Sequence, residues 1–307
     1  MDLPLGQISA LGAAICWAFC SLCFTEAGKK IGSLQVGLIR MTLGTIMLSL
    51  YCWFSRGHLF PYDATSNAWW YLSMSGFIGF FIGDVFLFRS FLLIGPRMSL
   101  LIMTSWPVIA ALIEWVFLSK QLVLFQLVGI SLTIIGISWV IIEQNKDKNQ
   151  SNTNIISRNN HIKGIVFALL GASGQAIGLV WSKFGMELEG GQYDAFSATQ
   201  IRAFSGLAGY MLLFFFLGRW HKLKALKGDH KSMLYLVLGS ASGPFLGVTL
   251  SLIALHHTTI GIAATLTASS PIFIIPLVII YYKEKVNIRA IFGTILALGG
   301  VSILFLQ

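Results

Sequence analysis

Long apolar stretches separated by short polar joints constrain this chain more than any other feature. A helix needs about 20 residues to cross roughly 30 Å of hydrocarbon. Apolar runs close to that length fall at 5–24, 34–54, 69–93, 98–118, 122–142, 164–184, 194–217, 232–255, 260–281 and 288–306. They predict ten transmembrane helices. Only 11% of the residues are charged, against about 25% in soluble domains, too few to cover a water-soluble fold of this size. The expected fold class is therefore an all-α integral membrane protein. The first apolar run follows Met1-Asp2-Leu3-Pro4, which lacks a basic flank, and it is long enough to span. It reads as the first transmembrane helix, not as a cleavable signal.

This excludes several functions. The net charge of +9 sits mostly in the connections between apolar runs, where it acts as a topology signal; no nucleic-acid partner is expected. Cys16, Cys20, Cys23 and Cys52 lie inside apolar runs without the paired spacing of a zinc site. They read as small packing residues, and neither metal nor cofactor is expected. No GxxxxGK[ST] motif occurs, so the chain has no P-loop for ATP hydrolysis.

Residues 143–163 are polar and Asn-rich and read as a flexible linker. They separate a first unit at 1–142 from a second at 164–307, with five runs in each. At an offset of 164, Gly79, Gly83, Pro107, Gly129 and Gly136 meet Gly243, Gly247, Pro271, Gly293 and Gly300. At an offset of 162, Arg40 and Gly44 meet Arg202 and Gly206. Matches of this kind in one order indicate duplication. Because five is odd, the second unit would enter the membrane from the side opposite the first. Inverted repeats of this sort are characteristic of secondary transporters, whose solute site lies between the halves. Fifteen of the 21 Lys and Arg fall in one set of connections and three in the other. By the positive-inside rule both termini are expected outside the cytoplasm, in a multi-pass protein of the cell membrane.

The stretch from Ala254 to Val301 carries a family resemblance in its small-residue run up to Pro271, its Glu284-Lys285 turn, and Gly293 with Gly299-Gly300. A weaker copy follows Ser105-Trp106-Pro107, with Lys120-Gln121 at the turn, then Gly129 and Gly136. Both resemble the EamA family of the drug/metabolite transporter superfamily. The resemblance implies a ten-helix, two-repeat exporter or exchanger of a small metabolite, such as an amino acid or related solute. The acidic-basic turn is not shared by the first half.

An ionisable residue within a span is a functional candidate by default. Arg40 and Arg202 form the symmetric pair. They read either as snorkelling anchors or as two gates, one near each entrance. Asp84 lies in the middle of the third run, and Val248 stands at its equivalent position. Arg89, five residues on, is badly placed to pair with Asp84 along the helix. Both are candidates for substrate or coupling contacts. Trp17, Trp106, Trp181 and Gln175, which replaces Trp17 in the second half, are candidates for the pocket wall. Gly79, Gly83, Gly243 and Gly247 read as sliding contacts between helices, and Pro107 and Pro271 as kinks. Glu26 and Glu114 read as interfacial. The partners expected are a small-molecule solute, the lipid bilayer and a coupling proton, with the chain a monomer or weak dimer. The competing readings are a channel and an intramembrane enzyme. The enzyme would require clustered carboxylates or a nucleophile motif that the sequence lacks.

Overall fold

The computed structural model describes residues 5–117, 123–149, 155–187, 193–226, 228–258, 260–283 and 286–304, and all regular structure among them is helical. The first half comprises α1 (Leu5–Ile31), α2 (Ser33–Arg56), α3 (Ser66–Gly76), α4 (Asp84–Met103), α5 (Trp106–Phe117) and α6 (Leu124–Asn149). The second comprises α7 (Ile155–Met186), α8 (Ala195–Leu217), α9 (His230–Ser240), α10 (Val248–His257), α11 (Ile260–Thr267), α12 (Ser270–Tyr282) and α13 (Ile288–Leu304). Among the described residues, eight helical stretches are long and apolar enough to cross a membrane, and Ile288–Ile303 is a shorter apolar helix. One of the eight, Ser66–Met103, turns at Gly95, whose φ of 80° and ψ of 163° are not helical. That turn lies at the Gly95-Pro96 joint expected from the sequence.

The helices outrun their apolar cores. α1 continues through Lys29 and Lys30 to Ile31, and only Gly32, at φ 89°, separates it from α2. The polar segment 143–163 is helical at 143–149 and again from Ile155. Glu, Gln and Lys are good helix formers, so a helix can extend into water after its apolar period has ended. The expected linker is thus shortened from both ends. Lys120-Gln121 and Glu284-Lys285 lie outside the described residues, as does the side chain of Glu114.

The two halves repeat one another in detail. A π-helical stretch at Phe77–Gly83 joins α3 to α4, and another at Ala241–Gly247 joins α9 to α10, at positions 164 residues apart. Thr65 caps α3 through its hydroxyl, and Asp229, also 164 on, caps α9 through its carboxylate. The fourth helix of each half is broken, at Thr104-Ser105 between α4 and α5, and at Ala268-Ser269 between α11 and α12. Ser105 donates to the Ile102 carbonyl at 2.7 Å and Ser269 to Leu266 at 2.6 Å, tying off carbonyls that the ended helices leave free. Pro107 and Pro271 were expected to kink continuous helices. Each stands instead as the second residue of a new helix, where a missing N–H is harmless.

The first helix of each half packs on the third of the other. Cys16 and Cys20 meet Gly247 and Gly243, while Gly174 and Gly178 meet Gly83 and Gly79. Equivalent helices α6 and α13 run antiparallel with backbones in contact, Gly136 against Ala297 and Gly300 against Thr133. α2 and α8 also run antiparallel, since Arg56 at the end of α2 donates to Ser197 at the start of α8. Gly44 lies against Pro244 of the second π stretch, and Gly206 against Phe80 of the first. Small residues therefore stand where backbones approach most closely, as expected for helix contacts in lipid.

Candidate functional site

Asp84 opens α4 at the end of the first π stretch and is 1% exposed. Arg40 of α2, also 1% exposed, makes an ion pair with its Oδ2. Gln175 of α7 donates to Asp84 Oδ1 at 3.2 Å, and also to the carbonyl of Gly79 at 3.2 Å. A π stretch shifts the backbone hydrogen-bond register, and Gln175 binds one of the carbonyls within it. The Arg40 guanidinium also lies 4.8 Å from the centre of the Phe88 ring and 5.7 Å from that of Phe24. Charge removed from water is stable only when paired and hydrogen-bonded. In the Arg40–Asp84–Gln175 cluster both Asp84 oxygens are bonded, while Arg40 Nε has no hydrogen-bond partner among the described residues.

Arg202 of α8 is 3% exposed, and its guanidinium stands 4.3 Å from the centre of the Phe80 ring. That of Arg40 lies 5.9 Å from the same ring. The two arginines therefore flank one aromatic ring near the middle of the bundle, and the expectation of one at each entrance is corrected. Each lies seven residues into its helix, counted from Ser33 and from Ala195. Their long side chains then close the remaining separation. The second half has Val248 where the first has Asp84, so one buried carboxylate serves two buried arginines and pairs with Arg40. Arg202 has no ion pair among the described residues, and its Nε lacks a hydrogen-bond partner.

A central cavity lies beside this cluster, with about 1030 Å³ of space, mouth included. Its walls include Phe24, Phe80, Phe88, Trp17 and Trp106, with Arg202 and Gln175 among the polar groups. Both helix breaks reach it, through Thr104 from one half and Ala268 and Ser270 from the other. Three of the four residues expected on the wall are on it: Trp17, Trp106 and Gln175. Trp181 is not; it packs on Tyr71 with ring centres 5.7 Å apart. Asp84 does not line the cavity but stands behind it, joined to it through Gln175. Arg89 lies on a separate cavity with Arg219 and Lys222. Five residues of helix turn it well away from Asp84.

Two polar clusters tie the ends of the bundle, and sequence reasoning missed their connections. On one face, Arg56 pairs with Asp63 at 2.5 Å and Asp194 at 3.7 Å, and Tyr193 donates to Asp63 at 3.2 Å. Partial burial pushes the Asp63 carboxyl up, but hydrogen bonds from Arg56, the backbone and Tyr193, with the Arg56 charge, together hold it below its ordinary value. On the lysine-rich face, Glu26 accepts from Tyr282 at 2.5 Å and Tyr281 at 3.2 Å, and pairs with Lys29 at 2.5 Å. Glu26 does occupy the polar rim expected of it. Its tyrosine partners, more than 250 residues away, gave no local signal.

A duplicated helical unit folded around a central, largely aromatic cavity, with helices apolar over membrane-spanning lengths, defines a multi-pass membrane protein. The model of the EamA-like transporter family matches residues 4–142 and again 162–306. The chain belongs to that family. No curated protein matches it. Among solved structures, one titled only "Crystal structure of protein" shares the fold, with a TM-score of 0.62 at 14% identity over 98% of this chain and 96% of that one.

Proposed function

We propose that the protein is a secondary carrier of a small organic anion with an aromatic or otherwise apolar body, working by alternating access. One observation carries the reading: Arg202, buried and without an ion pair among the described residues, lines an aromatic cavity beside both helix breaks. A carboxylate entering the cavity would supply the partner that Asp84 supplies to Arg40, while the aromatic wall takes the rest of the solute. An amino acid, a zwitterion, offers such a carboxylate. Interrupted helices at a cavity between repeats are a recurring transporter device. Counting the turn at Gly95 as a connection, the helices read as ten crossings in two five-helix units. The antiparallel pairs α2 with α8 and α6 with α13 support an inverted relation between them. The polar clusters around Arg56 and Glu26 stand at opposite ends and are suited to open in alternation.

Counterflow in proteoliposomes loaded with a panel of amino acids and aromatic carboxylates tests the proposal. A carrier shows saturable flux and acceleration by solute on the far side; linear, unsaturated flux would favour a channel. Loss of a charge-assisted bond to a buried carboxylate is worth 2–5 kcal/mol. Arg202→Gln should therefore lower transport by about 100-fold, with Arg202→Lys retaining part of it. Equal transport by Arg202→Gln and the wild type would remove the anion from the proposal.

Orientation is part of the same reading. With both termini outside the cytoplasm, a reporter joined at Gln307 responds to the extracytoplasmic compartment and one inserted near residue 150 to the cytoplasm. The opposite result would reverse the orientation and leave the fold untouched.

A further inference from the structure

A second cavity opens at the lysine-rich end, with about 1020 Å³ of space including its mouth. Arg89 of α4 lines it together with Arg219 and Lys222 of the short 3-10 helix Arg219–Leu226. None of these three cations has an ion pair among the described residues. Their neighbours differ: Lys29 is matched by Glu26 at 2.5 Å and Lys30 by Asp229 at 3.2 Å. The floor is the first turn of α2, at Ser33, Leu34 and Gln35. No side chain caps that helix start, whereas its counterpart α8 is capped by Asp194 at 2.8 Å. Gln35 is 4% exposed and lines the cavity. The wall opposite is apolar, formed by Val85 and by the Phe86 and Phe167 rings with centres 5.7 Å apart.

Three unmatched cations, an uncapped helix start and the amide of Gln35 converge on one space. An anion with several acceptor oxygens satisfies all of them together. The adjoining aromatic wall in a membrane-spanning bundle adds room for an acyl chain. We propose that this cavity binds the phosphate group of an anionic phospholipid from the leaflet on the lysine-rich face. The site is separate from the central cavity and does not depend on what the protein transports.

The full chain, in nanodiscs of phosphatidylcholine alone or with phosphatidylglycerol, provides the test, read as thermal unfolding and as lipid retention in native mass spectrometry. The expected result is a higher unfolding midpoint with phosphatidylglycerol and retention of that lipid. Each basic residue near a membrane surface contributes about fivefold to anionic-lipid affinity. Arg89→Gln with Lys222→Gln should therefore bind it about 25-fold more weakly, while unfolding like the wild type in phosphatidylcholine. Arg89→Gln alone, at an exposed position, should show about a fivefold loss. Lys163→Gln with Lys231→Gln removes two charges outside the cavity and should retain the lipid effect. Full retention by the Arg89/Lys222 variant, or equal loss in both double variants, would overturn the proposal. Inorganic phosphate added to detergent-solubilised protein separates the two sources of the group. Protection by it that depends on Arg89 and Lys222, with no phosphatidylglycerol effect in nanodiscs, would overturn the lipid assignment in favour of a soluble phosphate compound.

Discussion

Asp84→Asn should destabilise the folded chain by roughly 3–5 kcal/mol, the usual result of leaving a buried ion without its partner. The effect should exceed that of Arg40→Met. The Arg40 change leaves Asp84 with the hydrogen bond from Gln175 and the field of Arg202, whereas the Asp84 change strips Arg40 of its ion pair and Arg202 of the field of the nearby carboxylate. The double variant should fall well short of the summed losses, since its second substitution removes a charge already stranded. Unfolding of the purified protein in detergent, followed by exposure of Cys20 and Cys23, both at most 2% exposed in the fold, measures all three. Wild-type stability for Asp84→Asn would show that the pair is not what holds α2 against α4. Loss of transport in an Asp84 variant is expected through loss of structure, whereas Arg202 lines the cavity.

Gly76→Ala should be of comparable severity for a different reason. Gly76 ends α3 where α8 crosses it, and an added Cβ would overlap the Arg202 carbonyl oxygen and lie 2.6 Å from its Cα. The clashing atoms are backbone, so no rotamer change relieves them. Overpacking in a close-packed interior costs about 1–3 kcal/mol when side chains can adjust, and here the expected loss is at the top of that range or above it. Displacing α8 would also move Arg202 off Phe80, so transport should fall with stability. Gly299→Ala is the control: open space surrounds the position, and alanine favours the helix by up to about 1 kcal/mol. A Gly76→Ala protein as stable as the wild type would mean that α3 and α8 are not held in backbone contact.

Much of the frame was legible because membrane helices are signalled locally. Twenty apolar residues without a break announce a helix in lipid wherever they occur, and Gly32, Gly95 and Pro107 mark real interruptions. Helix ends were read less well, as at Ile31 and Asn149, because the backbone continues after the apolar stretch has ended. The duplicated positions Gly79 with Gly243 and Pro107 with Pro271 were visible as text, and they lie at equivalent π stretches and helix breaks. That those stretches are π-helical was not visible, since nothing in FIGFFIG or ASGPFLG distinguishes an i+5 register from an i+4 one.

The sequence by itself determined the membrane-spanning helices, their punctuation and their repetition, because each is a property of a short window read against the thickness of hydrocarbon. Only the tertiary structure decided which charges meet. Arg40 and Asp84 are 44 residues apart, and Arg40 and Arg202 lie in different halves, yet Arg40 pairs with Asp84 and meets Arg202 at the Phe80 ring. Arg89 and Trp181 sit in similar apolar runs and point elsewhere. The difference lies in the rotation and height of each helix against its neighbours, set by close contacts such as Gly76 on the Arg202 backbone and Gly44 on the Pro244 ring. Those contacts are long-range, and a few tens of degrees of rotation carry a side chain from the cavity wall to the lipid.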